Sequence, residues 1–291
     1  MSPAPARPRR VAILVALVLA VAAVLTLLSP RHRAFYFGTA RRASTPVTQA
    51  ATSVAAGMRI AITGPAAGIT PVAVSERGRT LAVGPDGRLR VPLATESPLP
   101  RLPLDAVPEG WEVREFAGRA DVRMIRAPQG VAMLLRADRT SFALFRDVIV
   151  DLDLLPRLSW TWRVTKLPVR GDVRQKARDD QAAQVYVIFP RWPSPRATSD
   201  VIGYVWDSTA PVGTSVASPH APNVRVIVVA SGSAQLNVWQ RHERDVAADF
   251  ASLFGRRPSR VGGVAVMIDA NDTASVAEAA IADLTFSRRP S

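Results

Sequence analysis

The stretch RLSWTWRVTKL, Arg157 to Leu167, alternates large apolar and polar side chains and stops at a proline. Successive residues of an extended chain point to opposite faces, so Leu158, Trp160 and Trp162 share one side while Ser159, Thr161 and Arg163 share the other. Two tryptophans and a leucine on one side predict a strand that packs that side into a core, where large aromatics supply much of the buried area. Seven further runs have the same character: VAMLLRA (131–137), SFALFRDVIVDL (141–152), AAQVYVIFP (182–190), DVIGYVWDS (200–208), NVRVIVVASG (223–232), GGVAVMIDAN (262–271) and AAIADLTFS (279–287). Each is rich in β-branched or aromatic residues and bounded by Pro, Gly, Asp or Ser. Only VWQRHERDVAADFASLFG, Val238 to Gly255, holds a helical turn. Eight short strands without alternating helices predict an all-β domain, a jelly-roll-like β-sandwich over residues 101–291.

Upstream the text changes. Glu96 to Trp111 packs four prolines into a linker. Residues 58–100 read as a small β-rich extension, with Met58–Gly64 and Thr70–Glu76 as strands and Arg79–Leu93 as a hairpin turning at Asp86-Gly87, a pair suited to the positive φ angles of a tight turn. About forty residues without disulfides are too few to stand alone, so this unit is expected to dock on the main domain. Residues 29–57 are small, polar and without period, a tether. Before them, residues 1–10 are basic and Val11 to Leu28 is an uncharged apolar run. At about 1.5 Å per residue it spans roughly 27 Å as a helix, enough to cross a bilayer. A cleaved signal peptide has a shorter apolar region closed by a small-x-small site, whereas Leu28 is followed by Ser-Pro-Arg-His-Arg. The run is read as a transmembrane signal anchor in a bacterial inner membrane. Residues beyond it are then expected in the periplasm or outside the cell.

The formal charge of +13 suggests nucleic acid until it is located. Residues 1–100 hold 12 Arg against 3 acids, and residues 101–291 hold 25 Arg plus Lys against 21 acids. The main domain is thus only mildly basic, and its arginines lack the interleaved aromatics that stack bases, which disfavours a nucleic-acid partner. Cysteine is absent, which excludes disulfides, thiolate metal sites and a Cys nucleophile.

Several blocks stand in one order: PEGW (108–111), LPRLSWTWRV (155–164), DDQAAQVYVIF (179–189), YVWDS (204–208), RDVAADFASLFG (244–255) and VAVMIDANDT (264–273). In these the chain resembles the bacterial DUF3047 family, a domain of unknown function, over roughly residues 108–286. A broader likeness, through Leu158-Ser159-Trp160-Thr161-Trp162 and Asp283-Leu284-Thr285-Phe286, is to jelly-roll domains related to carbohydrate-binding modules. It is an analogy of fold, and function has to be argued from the site.

Candidate site residues follow from placement. Asp179 and Asp180 stand just before the strand in which Ala182, Gln184, Tyr186 and Ile188 share one side. Adjacent extended residues point apart, so the two carboxylates do not form an acid/base dyad with each other. Either one Asp caps the loop while the other pairs with a cation such as Lys176, or one serves a ligand site together with Tyr204 or Arg241. Trp192, Trp206 and Trp239, near strand ends, are candidate stacking platforms. The ligand-site set is therefore Lys176, Asp179, Asp180, Tyr204, Trp206 and Arg241. Asp269, Asn271 and Asp272 offer three oxygens within four residues, the set for a structural calcium ion, although a tight turn has the same composition. The three histidines show no zinc spacing, and no nucleophile-elbow motif is present.

Two functions are carried forward. The first is a membrane-anchored β-sandwich that binds a saccharide or another cell-envelope ligand. The second is an envelope polysaccharide-acting enzyme, a hydrolase or lyase, using Asp179 or Asp180 with Tyr204 or Arg241.

Overall fold

The computed structural model of the chain describes residues 73–74, 80–93, 108, 110–191, 199–258 and 260–290. All belong to one compact unit. The anchor expected at 11–28, the tether at 29–57 and the strand expected at 58–64 lie outside the described residues, as does Trp192. Among the described residues no helix is long and apolar enough to cross a membrane.

The main body is a β-sandwich. One sheet has seven strands in the order β11 (Ser215–Ala217), β12 (Val224–Ser231), β10 (Asp200–Asp207), β9 (Ala183–Phe189), β14 (Val261–Asp269), β7 (Ser141–Val150) and β4 (Glu112–Ala117). The other has β13 (Gln240–Asp245), β8 (Arg157–Lys166), β15 (Val276–Ser287), β6 (Gly130–Asp138) and β5 (Asp121–Ala127) in order, with β3 (Leu89–Arg90) also paired to β15. All eight expected strands are present. The pairings are antiparallel except β10 with β12, which run parallel.

Trp160 and Trp162 are fully buried, as the alternation in β8 requires. Across the interior Trp160 stacks on Tyr204 with ring centroids 5.2 Å apart, and Trp162 meets Trp206 at 6.2 Å. Helix α1 (Val246–Phe254) buries Val246 and Phe250, the latter against Phe189 at 4.4 Å. The Asp245 side chain accepts the Ala248 N–H at its start, and Gly255, in the left-handed region at φ 67°, ends it. The segment 238–255 thus divides into strand β13 and this helix.

The hairpin expected over 79–93 is corrected. The turn forms, with Gly87 at φ 72° and the Gly84 N–H donating to the Arg88 carbonyl at 2.8 Å. Its arms then part: β2 (Thr80–Leu81) pairs with β1 (Ala73–Val74), while β3 joins β15 of the sandwich. Leu89, Val91 and Leu93 are buried, and both Trp111 Nε1 and Arg146 donate to the Pro92 carbonyl at 3.0 Å. Apolar burial against the large sheet outweighs the few ladder bonds that a local hairpin would offer.

Candidate functional site

In β9 the residues Ala183, Val185, Val187 and Phe189 are fully buried and face the second sheet. Gln184, Tyr186 and Ile188 therefore face the other way, onto the outer side of the seven-stranded sheet. The strand pairings set a row across this face: Gly203, Tyr186, Ala265, Phe145 and Glu112, on β10, β9, β14, β7 and β4. The next row reads Val205, Gln184, Met267, Ala143 and Arg114. Asp269 and Ser141 pair one step further along β14 and β7.

At this end the β8–β9 loop, residues 167–182, folds over the sheet. It is shaped by Asp172, which accepts from Arg174 and Gln175 side chains at 2.8 to 2.9 Å. Asp207 holds it from beneath by accepting the Val173 N–H at 2.8 Å. A 3-10 turn at Lys176–Arg178 then delivers the two aspartates to different tasks. Asp180 is fully buried and accepts three hydrogen bonds from the turn between β14 and β15: Asp272 N–H at 3.1 Å, Thr273 N–H at 2.6 Å and the Thr273 hydroxyl at 2.5 Å. It is a clamp joining loop to turn, satisfied by two main-chain N–H groups and a hydroxyl and not by Lys176. Asp179 has one hydrogen bond, from Gln181 Nε2 at 3.0 Å, with His220 Nε2 at 3.9 Å. Burial pushes its carboxyl up to about 6. Asp269 is driven up to about 8 by burial and by the adjacent Asp180, with which it shares a hydrogen bond. Near neutrality it holds its proton and donates to Asp180.

Beside these acids stands Gln184, 1% exposed, whose Oε1 accepts the Tyr186 hydroxyl at 2.5 Å. Its Nε2 is buried without a hydrogen-bond partner. Burial, then the charges of Asp179 and Asp269, push the Tyr186 hydroxyl far above its ordinary range, so it remains a neutral donor. His220, from the loop after β11, approaches Asp272 at 3.3 Å and the Lys176 carbonyl at 3.3 Å. The result is a polar end, with acceptors and a buried, unpartnered amide donor, on the same side of the sheet as Tyr186, Phe145 and Met267.

The structure separates the residues grouped from sequence. Lys176 is exposed, and among the described residues it forms no ion pair with Asp179 or Asp180. Tyr204 and Trp206 are corrected: both are fully buried between the sheets, Tyr204 donating to Asp249 at 2.9 Å and Trp206 to the Gly232 carbonyl at 3.0 Å. Arg241 lies on β13, at the edge of the other sheet, bound to Asp283 at 2.8 Å and Ser159 at 2.9 Å. Trp239 carries the Arg163 guanidinium 5.0 Å from its ring centre. Asp269, Asn271 and Asp272 spend their oxygens and amide on the turn itself: Asn271 donates to Asp272 at 2.9 Å and Asp269 binds Asp180. Among the described residues no group of three or more His, Asp or Glu is arranged to hold a metal ion. Gln184, Tyr186 and His220 were not among the candidates. The first two were signalled by alternation, being a polar and an aromatic side chain on the same side of a strand whose other side is wholly apolar. His220 carries no such signal, since only tertiary folding brings it here.

Residues 109–285 contain every residue of this site and match the family described as "Protein of unknown function (DUF3047)". The chain belongs to the DUF3047 family. No curated protein matches this DUF3047 chain. Among solved structures it is similar to the family 11 carbohydrate-binding module of a cellulosomal cellulase of Clostridium thermocellum, at 7% identity and a TM-score of 0.36, covering 62% of this chain and 88% of that one. It is also similar to a family 30 carbohydrate-binding module of the same organism, at 10% identity and TM-score 0.37, covering 62% and 92%. A third is a cellulase derived from the Cel12A enzyme of Rhodothermus marinus, at 13% identity and TM-score 0.33, covering 60% and 99%.

Proposed function

We propose that this DUF3047 chain binds a saccharide on the outer face of its seven-stranded sheet, held at a bacterial cytoplasmic membrane by residues 11–28 with the sandwich on the extracytoplasmic side. The observation that carries the binding is Gln184, a buried amide with an unpartnered Nε2. A buried donor left unmade costs about 1–3 kcal/mol, which a bound acceptor recovers. Around it stand the Asp179 carboxyl and the neutral Tyr186 hydroxyl, beside aromatic and aliphatic side chains. A few convergent polar groups on a mostly apolar lining suit a ligand with hydroxyls on its rim and C–H bonds on its faces.

The test is a glycan array probed with the detergent-solubilised full chain and with Gln184→Ala. Binding that the substitution removes supports the reading; no binding to any glycan overturns it. The membrane address is tested by a phosphatase reporter fused after Ser291. Activity is expected outside the cytoplasm, and reporter activity confined to the cytoplasm overturns that part.

A second reading, a polysaccharide-acting enzyme, is favoured by one observation. Asp179 is half-buried with its carboxyl raised to about 6, the range in which a carboxyl donates or accepts a proton near neutrality. Tyr204 is sealed between the sheets and Arg241 stands on the other sheet; Tyr186, Asp272 and His220 are the groups around Asp179. Release of reducing ends, lost in Asp179→Asn, separates catalysis from binding.

A further inference from the structure

We infer that the ligand is an extended, uncharged, β-linked glycan chain lying across the strands, with Tyr186 and Phe145 as its two stacking floors; this rests on the saccharide reading above. Tyr186 and Phe145 stand in one register row, separated by Ala265 on β14. Neighbouring strands are about 4.8 Å apart, so rings on alternate strands repeat at roughly 10 Å. That repeat is the length of two residues of an extended β-linked chain, in which every second sugar turns the same face to the same side. A helical α-linked chain curls away from such a row.

The floor is built for a flat ring. A Cβ on Gly203 would fall 2.5 Å from Tyr186 Cε1 and 3.1 Å from Cδ1. The tyrosine therefore lies against bare glycine backbone, a half-buried ring on the outer side of the sheet. Ala265, which stands between the two rings, carries only a methyl group. The far end of the track carries exposed Glu112 and Arg114, the guanidinium lying 5.6 Å from the Phe145 ring centre. These are hydroxyl-binding groups beyond the second floor.

Charge selects within this class. Although the chain carries a formal charge of +13, the near end of the track is acidic, with Asp179, Asp180, Asp269 and Asp272 grouped there. Asp180 stands there as a hydrogen-bond acceptor, so a uronate placed among these carboxyl groups would add like charge and be repelled. Neutral sugars meet no such penalty.

The experiment is calorimetric titration of the full chain in detergent with β-1,4-linked gluco-oligosaccharides, from disaccharide to hexasaccharide, and with an oligogalacturonate of matched length. Affinity is expected to rise at least tenfold from disaccharide to tetrasaccharide, and the uronate to bind at least tenfold more weakly. Phe145→Leu keeps apolar volume but removes the π face; it should lower tetrasaccharide affinity about tenfold. Tyr186→Leu should weaken tetrasaccharide and disaccharide alike. If the disaccharide binds as tightly as the tetrasaccharide, or Phe145→Leu has no effect, the extended track is overturned while Gln184-dependent saccharide binding stands. If no sugar binds, the saccharide reading falls and this inference with it.

Discussion

Two adjacent aspartates with the same chemistry stand in different settings because one carboxylate is met by three donors and the other by one. Asp180 accepts from Asp272, Thr273 and the Thr273 hydroxyl while fully buried. Asp180→Asn turns an amide N–H towards one of these donors and should lower stability by about 2–3 kcal/mol in denaturant titration. Asp179 is pushed up to about 6 by burial, with only Gln181 opposing through a hydrogen bond and His220 through its charge. Asp179→Asn removes a carboxylate that folding disfavours at neutral pH, so the melting temperature should hold or rise while ligand affinity or turnover is lost. A drop of several degrees in Asp179→Asn would assign it a structural task instead. The sequence already excluded a dyad of the two, since adjacent extended side chains diverge. Which of them clamps was decided 92 residues downstream by the Asp272-Thr273 turn, and no local pattern announces that.

At the scale of the element, the β8–β9 loop has to lie close against its own return. A Cβ on Gly171 would sit 2.3 Å from the Asp180 carbonyl oxygen. Because the obstacle is backbone and not the tip of a side chain, Gly171→Ala should destabilise by about 1–3 kcal/mol and displace Asp179 and Asp180 together. Both stability and glycan affinity should therefore fall, whereas Asp245→Ala, which removes the α1 cap, should cost about 0.5–2 kcal/mol and spare affinity. Strands show a parallel division. The eight read from sequence carry most of both sheet interiors. The four of the sandwich body not read, β4, β5, β11 and β13, are the four sheet edges. Edge strands carry charge that discourages pairing between molecules; EVREFA and QRHERD are examples. The polarity that protects them also erases the alternation by which a strand is recognised.

For the molecule as a whole, raised carboxyl pKa values give a pH dependence with a definite sign. A carboxyl that holds its proton more tightly when folded stabilises the fold below the ordinary 3.8 and loses that contribution as pH rises through its folded value. Asp179 acts up to about 6 and Asp269 up to about 8, with Asp207 shifted in the same direction. Thermal midpoints should fall between pH 4 and 8. Asp269→Asn, whose amide can still donate to Asp180, should flatten the upper half of that decline. A midpoint that rises over this window would contradict the buried-acid arrangement. Asp172, held low chiefly by the Arg174 hydrogen bonds, works in the opposite sense only at the acid end. The extension is also part of the fold: a chain beginning at residue 94 loses buried Leu89, Val91 and Leu93 and the Pro92 carbonyl that Trp111 and Arg146 share. It should melt well below the full chain or fail to fold.

Local pattern determined the all-β class, the strands of the sheet interiors and the inward face of Trp160 and Trp162, because alternation and side-chain size are properties of neighbouring residues. It also determined the tight turn at Asp86-Gly87, since φ preference is local. Tertiary structure alone decided where the arms of that turn went, which of two aspartates is clamped by the β14–β15 turn, and that Tyr204 and Trp206, set near polar residues in the chain, are sealed between two sheets. It likewise brought Asp269 and His220 from separate parts of the chain to the end of the strand that carries Gln184 and Tyr186. Register between strands distant in sequence is set by the summed burial of both sheet faces, and a single stretch of residues does not contain that sum.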